Sequence, residues 1–171
     1  NVTVNEALRF DQNGTVTAGS YVDAGRYVLF LQNNASGALQ HADNGGTGGH
    51  GHVVGRLRRA VDGMANYFFP LGADGSSALF YESADLDFTA DYANITNVTG
   101  RFSDIQPTPY DIPDVTDPST LLTYAYLEDD GFWEFIPNDP TDNTGEYTMT
   151  VSPSRRWPSS SPAYSLLKTQ P

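Results

Sequence analysis

Short runs in which apolar and polar residues alternate are the dominant pattern along the chain. The runs are rich in β-branched and aromatic residues, which is typical of strands with one buried face. No stretch carries the apolar stripe that an amphipathic helix requires. The pattern predicts strands at Tyr27–Leu31, Val53–Val61, Ala78–Tyr81, Phe88–Tyr92, Leu121–Leu127, Phe132–Phe135 and Tyr147–Val151.

Pairs of turn-forming residues separate the predicted strands. Asn13-Gly14, Asp62-Gly63, Asp74-Gly75 and Asp130-Gly131 supply positive φ angles or side-chain-stabilised turns. Short strands joined by such turns favour an all-β fold. We therefore expect an antiparallel β-sandwich, with Greek-key or jelly-roll-like connections and long loops rich in Gly and Pro.

Two segments interrupt the strand pattern. Residues Gly37–Gly51 contain six glycines and are predicted to form a long loop. Residues Ile105–Ser119 are rich in Pro and Asp, which favours an extended connection. A chain of 171 residues is long enough to bury the core of one domain. The prediction is a single β module over residues 1–171, with 105–119 as the candidate point of subdivision.

Charge and composition narrow the classes of function. The chain carries 21 acidic and 9 basic residues, a formal net charge of −12, and its surface should repel phosphate backbones. We therefore expect neither nucleic acid nor an anionic membrane as a partner. No apolar stretch is long enough for a spanning helix, so membrane insertion is not expected. The absence of cysteine excludes disulfides and thiol catalysis.

Acidic clusters suggest a cation site. Asp139, Asp142 and Asn143 offer the oxygen ligands that calcium prefers, although their order does not match an EF-hand loop. The alternative is a solvated hairpin end. A second cluster comprises Asp85 and Asp87 with Asp91, and the first two have the alternation of an ordinary half-buried strand. No cofactor is predicted other than calcium at the first cluster.

Three further features bear on chemistry. His50 and His52 would share a strand face and could bind a metal. The alternative is that they are ordinary polar residues of a glycine-rich loop. Glu134 is the one acid in an aromatic setting that could assist glycoside hydrolysis, and the alternative is a solvent-facing strand residue. No sequence motif for a nucleophilic serine, a phosphate-binding loop or a dinucleotide site is present, so no catalytic residue is predicted.

The Asn-x-Ser/Thr glycosylation signals stand at Asn1, Asn13, Asn34, Asn94 and Asn97.

Basic residues are concentrated in one predicted strand. Arg56, Arg58 and Arg59 are three of the nine cations in the chain. Strand alternation places Arg56 and Arg58 on one face, while Arg59 shares the other face with Leu57. In so acidic a protein, we expect these arginines to pair with aspartates of the same chain or of a neighbouring copy.

The arginine strand also carries a family resemblance. Residues 53–61 have the form V-x-G-x-x-R-R-x-V, and 67–72 follow with Y-x-F-P-L-G. Together with Tyr164–Lys168 and the repetitive segment Asn13–Ser20, this arrangement resembles a β-rich module of secreted and cell-surface proteins of the Bacteroidota. Many of those proteins are cargo of the type IX secretion system. The resemblance implies an extracellular all-β module with no known active site.

The sequence therefore predicts a non-enzymatic extracellular structural module, a cell-surface, adhesive or filament-forming building block. Expected partners are copies of itself or other cell-surface components. Association would use Arg-to-Asp pairing, calcium bridging or exchange of a terminal strand, with Asn1–Phe10 and Tyr164–Lys168 as candidates. The alternative is a carbohydrate-binding accessory module in which Trp133, Trp157 or Tyr110 stacks on sugar rings. A glycoside hydrolase centred on Glu134 is the third hypothesis.

Overall fold

The computed structural model describes residues 1–10, 21–41, 51–73, 81–90, 94–104, 132–139 and 146–153. Strands dominate these ranges, and the one helix among them is a 3₁₀ turn at Ser36–Ala38. The prediction of an all-β fold is confirmed. The strands are β1 (Val2–Val4), β2 (Leu8–Phe10), β3 (Tyr21–Leu31), β4 (Leu39–His41), β5 (His52–Ala60), β6 (Asn66–Phe69), β7 (Leu71–Gly72), β8 (Glu82–Phe88), β9 (Asn97–Ser103), β10 (Phe132–Pro137) and β11 (Tyr147–Pro153).

The largest sheet, sheet A, is mixed. Its order is β1-β3-β5-β9-β10, and β7 pairs with Val53 and Val54 of β5. Strands β1, β3 and β5 are parallel, whereas β9 and β10 are antiparallel to their neighbours. The antiparallel arrangement expected from the turn signals therefore does not extend to sheet A. Parallel neighbours need a long connection, which the residues between Leu31 and His52 provide.

Two smaller sheets complete the described fold. Sheet C has the order β11-β8-β6 and is antiparallel, as predicted, while β2 and β4 form a parallel pair. Asp62-Gly63 does not close a hairpin within one sheet. It lies between β5 of sheet A and β6 of sheet C, with Gly63 at a φ of 76°. The positive φ of Gly63 agrees with the predicted turn chemistry, but the sequence does not indicate that the next strand belongs to a different sheet.

Aromatic side chains connect sheets A and C. Phe69 of β6 meets Phe135 of β10 edge to face, with ring centroids 5.2 Å apart. The Trp133 indole Nε1 donates to the carbonyl oxygen of Glu82 at 3.0 Å. Tyr67 and Leu57 are fully buried in the same core. Complete burial of one such apolar side chain stabilises a fold by about 1.5–3 kcal/mol.

Several predicted segments differ from the structure. The strand expected at Phe88–Tyr92 instead ends at Phe88, because the apolar alternation belongs to the preceding residues, Glu82–Phe88. The predicted loop Gly37–Gly51 contains β4, where Leu39 is buried. Residues 105–119 lie outside the described ranges. Strands β10 and β11, which follow that segment, pair with β9 and β8, which precede it.

Candidate functional site

The arginines of β5 lie on both faces of sheet A. Leu57 and Arg59 are fully buried, while Arg58 is half-buried and Arg56 is exposed. This alternation is the one predicted from the sequence. A bulge precedes it at Gly55, whose φ is 93° and where a Cβ would lie 3.1 Å from the Gly25 carbonyl oxygen. Glycine satisfies both constraints, since it adopts positive φ without a side chain.

Arg59 connects three segments of the chain through backbone carbonyls. Its Nη1 donates to the Phe68 carbonyl oxygen at 2.8 Å, and its Nη2 donates to the carbonyl oxygen of Ser36 at 2.9 Å. A longer contact of 3.4 Å joins Nη2 to the Ala35 carbonyl oxygen. The fork geometry of the guanidinium lets one side chain bond to β6 and to the 3₁₀ turn at once.

Aromatic rings cover the buried guanidinium. Its Cζ lies 5.3 Å from the centroid of Tyr67 and 5.9 Å from that of Phe69, within cation–π range. Burial lowers the pKa of Arg59 to about 10, and the charges of Tyr67 and Asp85 oppose this shift. Within the described part of the chain, no carboxylate lies at ion-pair distance from Arg59, and its Nε has no hydrogen-bond partner.

The two halves of the arginine motif contact each other. The Tyr67 hydroxyl accepts from the Asp62 backbone N–H at 2.7 Å and lies 3.0 Å from the Asp62 carbonyl oxygen. The Val53 N–H donates to the Pro70 carbonyl oxygen at 2.8 Å. Residues 53–61 and 67–72 therefore form one packed unit that crosses from sheet A to sheet C and back.

The opposite face of β5 presents a group of residues that we call the arginine face. Strand pairing aligns Phe30, Arg58, Thr99 and Ile136 across sheet A. The Arg58 Nε donates to Thr99 Oγ1 at 3.1 Å, and its Cζ lies 5.7 Å from the Phe30 ring centroid. Ile136 is 48% exposed. The remaining members are Arg56, Arg101 and Glu134.

Only one arginine of this face pairs with a carboxylate within the described ranges. The Arg101 Nε lies 2.7 Å from Glu134 Oε2. The pairing of β5 with β9 ends at Leu57 and Gly100, the residues next to Arg56 and Arg101. Arg58 contacts a hydroxyl and a ring instead of an acid. The predicted ion pairs of Arg56, Arg58 and Arg59 inside the chain are therefore not seen among the described residues, and pairing with a second copy stays a prediction.

Sheet C has the opposite charge. Asp87 is exposed and Asp85 is half-buried on β8, and Leu86 and Phe88 face the core as the alternation predicted. Burial raises the pKa of Asp85, the positive charge of Arg59 opposes this, and Asp87 adds to it. Asp85 stands opposite Phe68, whose carbonyl accepts from Arg59.

The structure describes only some of the residues considered for metal binding or catalysis. Asp139 is half-buried, while Asp142 and Asn143 lie outside the described ranges. Among the residues that the structure covers, no three His, Asp or Glu side chains lie close enough to hold a metal ion. His52 is buried and stacks on Tyr21, with centroids 5.6 Å apart. Glu134 is the cross-strand partner of Arg101.

Trp133 is half-buried, and its ring contacts other residues of the fold. It packs against Phe102, with ring centroids 5.2 Å apart, and its Nε1 is bonded to Glu82. The other two aromatic candidates, Trp157 and Tyr110, lie outside the described ranges.

The glycosylation signals occupy different settings. Asn1, Asn34 and Asn94 are exposed, and Asn97 is half-buried at the start of β9. The side chains of Asn1 and Asn34 already make hydrogen bonds, to the Val28 N–H and to Asp62. Asn13 lies outside the described ranges.

Sequence reasoning missed two parts of this site. Strand β9, which supplies Arg101, was not predicted because Asn97, Gly100 and Ser103 interrupt its apolar pattern. The burial of Arg59 was also missed, although its position on the Leu57 face was the available signal. A charged residue that alternates with core residues of a strand requires buried acceptors.

Comparison with known proteins finds no match: no family model, no curated protein and no solved structure is similar enough to be matched to this chain. The resemblance to the Bacteroidota module therefore stays a prediction. In the ranges that the structure describes, no helix has the length and apolar character needed to cross a membrane.

Proposed function

We propose that the chain is a non-enzymatic structural module of the extracellular or cell-surface kind, and that it assembles with copies of itself into larger structures. The observation that carries the proposal is the arginine face. Arg56 and Arg58 have no carboxylate partner among the described residues of a chain with 21 acidic residues. A sheet face that combines arginines with an exposed apolar side chain, here Ile136, has a composition typical of protein interfaces.

The architecture that we propose for the module is a two-sheet β-sandwich. The Phe69–Phe135 contact and the Trp133–Glu82 hydrogen bond each join sheet A to sheet C. Arg59 adds a third link, from β5 to the backbone of β6. These contacts support a shared core between two facing layers, as in sandwich folds.

The N-terminal segment offers a second route to assembly. Strand β1 lies at one edge of sheet A. It pairs with only the last three residues of β3, Leu29–Leu31. Beside it lies an open groove of about 250 Å³, lined by apolar residues that include Val2, Val22 and Tyr27. An edge strand next to an apolar groove is the geometry that strand addition uses.

Mass measurement and imaging of the full chain test the proposal. Sedimentation over a wide range of concentration, with and without calcium, is expected to show species larger than one copy. Electron microscopy is expected to show ordered assemblies. A particle that stays monomeric at high concentration in both conditions would refute the assembly function, and glycan-array binding would then favour the carbohydrate-binding alternative.

A further inference from the structure

Charge is divided between the two large sheets. The strands of sheet A carry five arginines and two acids, Asp23 and Glu134. The three strands of sheet C carry Glu82, Asp85 and Asp87 and contain no Lys, Arg or His. Glu82 is buried, so Asp85 and Asp87 are the acids of sheet C that are partly or fully accessible. One module thus has a basic sheet face and an acidic sheet face.

We propose that the arginine face of one copy binds the Asp85 and Asp87 face of β8 in a second copy. The proposal rests on the proposed function and names the contact by which copies would assemble. Arg56, exposed and without an acid partner in the described ranges, and Asp87, exposed on β8, are the central pair. Arg58 and Asp85 are the flanking pair.

The spacing of the two faces matches. Arg56 and Arg58 are two residues apart on one strand, and so are Asp85 and Asp87. Side chains at this separation project from the same face of a strand about 6.6–6.8 Å apart. Two strands laid face against face can therefore form both Arg-to-Asp contacts at once, and each guanidinium can bond to both oxygens of its carboxylate.

The groups around the charges also suit an interface. On the arginine side, Phe30 lies beside Arg58, and the exposed Ile136 lies beyond Thr99 on the other side. On the acidic side, strand pairing places Thr150 beside Asp85 and Thr148 beside Asp87. Both threonines are exposed and supply hydroxyl groups for a polar rim.

The proposed contact is heterologous, because the two surfaces differ. After two copies pair, one keeps a free acidic face and the other keeps a free basic face, so growth continues in both directions. Such head-to-tail contacts produce rings when the rotation closes and open filaments when it does not. This contact also explains how copies with a net charge of −12 could associate, since local pairing acts at short range while the general repulsion is screened by salt.

Charge reversal of the full chain tests the proposal. Arg56→Glu alone and Asp87→Arg alone are each expected to raise the dissociation constant of self-association by at least about tenfold, as measured by sedimentation. A mixture of the two single variants is expected to regain long assemblies in which the two variants alternate. The reversed charge at position 56 of one variant meets the reversed charge at position 87 of the other, and the two unmodified faces still pair with each other. The double variant with both changes is expected to regain long assemblies.

Matched controls separate the contact from a change in net charge. Asp104→Arg, and the double change Gln40→Glu with Met64→Glu, make the same charge changes at exposed positions outside the two faces and away from the groove, and they should assemble like the unmodified chain. Circular dichroism and thermal melting confirm that each variant folds. If Arg56→Glu fails to fold, Arg56→Gln replaces it and is expected to weaken association in the same direction.

The outcomes distinguish this contact from the broader proposal. If the unmodified chain assembles but the reversals leave assembly unchanged, or the double variant fails to recover, the contact is refuted and the assembly function stands. If Arg56→Glu weakens association no more in 50 mM than in 500 mM sodium chloride, relative to the control variants, the effect of Arg56 is not electrostatic and the Arg-to-Asp contact is refuted. A chain that never assembles refutes both.

Discussion

Replacement of Arg59 by methionine tests whether the buried cation stabilises the fold. Methionine keeps an unbranched stem in the core but removes the charge and all donors. Because burial lowers the pKa of Arg59 to about 10 even though Tyr67 and Asp85 oppose the shift, the net cost of holding the cation in the core is about 3 kcal/mol at 1.36 kcal/mol per pH unit. The methionine variant recovers that free energy.

The variant loses the bonds that the cation makes. Two short hydrogen bonds, to the carbonyl oxygens of Phe68 and Ser36, disappear. Hydrogen bonds to charged groups contribute about 1.5–3 kcal/mol each, so the loss is roughly 3–6 kcal/mol. The cation–π contacts with Tyr67 and Phe69 add about 1 kcal/mol. We therefore expect Arg59→Met to lower the free energy of unfolding by about 2 kcal/mol.

Urea denaturation followed by tryptophan fluorescence measures this change. The midpoint is expected to fall with an unchanged slope, and the melting temperature is expected to fall by about 4–8 °C for a chain of this size. Arg59→Lys is the matched control, because it keeps the charge but lacks the planar fork, and it should destabilise by more than methionine. A methionine variant as stable as the unmodified chain would refute this reasoning, because desolvation would then fully offset the bonds of the cation.

Three further predictions concern the core, the bulge and the acidic face. Gly100→Ala would bring a Cβ within 2.8 Å of two aromatic rings and is expected to cost about 1–3 kcal/mol in urea denaturation, whereas Gly37→Ala, with open space around it, should change little. Gly55→Ala would place a side chain at a positive φ and close to a backbone oxygen, and we expect it to lower the free energy of unfolding by about 2 kcal/mol. A melting temperature equal to that of the unmodified chain would contradict this. Burial raises the pKa of Asp85, so the ionised carboxylate destabilises the fold at pH 7 and Asp85→Asn is expected to raise the free energy of unfolding there. The gain should shrink as the pH falls through the folded pKa and should vanish below the ordinary value of 3.8, where Asp85 is neutral in both the folded and the unfolded chain. Urea titrations at pH 7 and pH 3 check this, and an equal gain at both would contradict the electrostatic origin.

The strand content was predictable because it depends on local pattern. The alternation around Leu57 and Arg59 identified β5 and both of its faces, and the same rule placed Leu86 in the core and Asp87 outside. The direction in which strands pair was not predictable, since it depends on how long segments connect across space. Asp62-Gly63 illustrates this, because a turn of the same chemistry can join neighbours of one sheet or carry the chain between two sheets.

The candidate site was predictable only in part. The three β5 arginines are evident from their spacing, but Arg101 comes from a strand whose pattern Gly100 interrupts. That glycine is present because two aromatic rings, Phe69 and Phe135, occupy the space where its side chain would lie. Gly100 thus satisfies a packing requirement set by residues distant in sequence, and it interrupts the apolar pattern of its own strand. Neither the contact nor the strand could therefore be predicted from local pattern.

The packed unit formed by residues 53–61 and 67–72 has a consequence for how the chain folds. Its contacts join residues close in sequence, Tyr67 with Asp62 and Arg59 with Phe68, whereas parallel pairing of β3 with β5 must close a loop of about twenty residues. Short-range contacts form early in folding, and long-range pairing is slow. We therefore expect this unit to be the folding nucleus, so that Tyr67→Phe slows refolding in stopped-flow kinetics while Gly100→Ala mainly speeds unfolding. The segment that gives the sequence its recognisable motif would then be the one on which the two sheets are assembled.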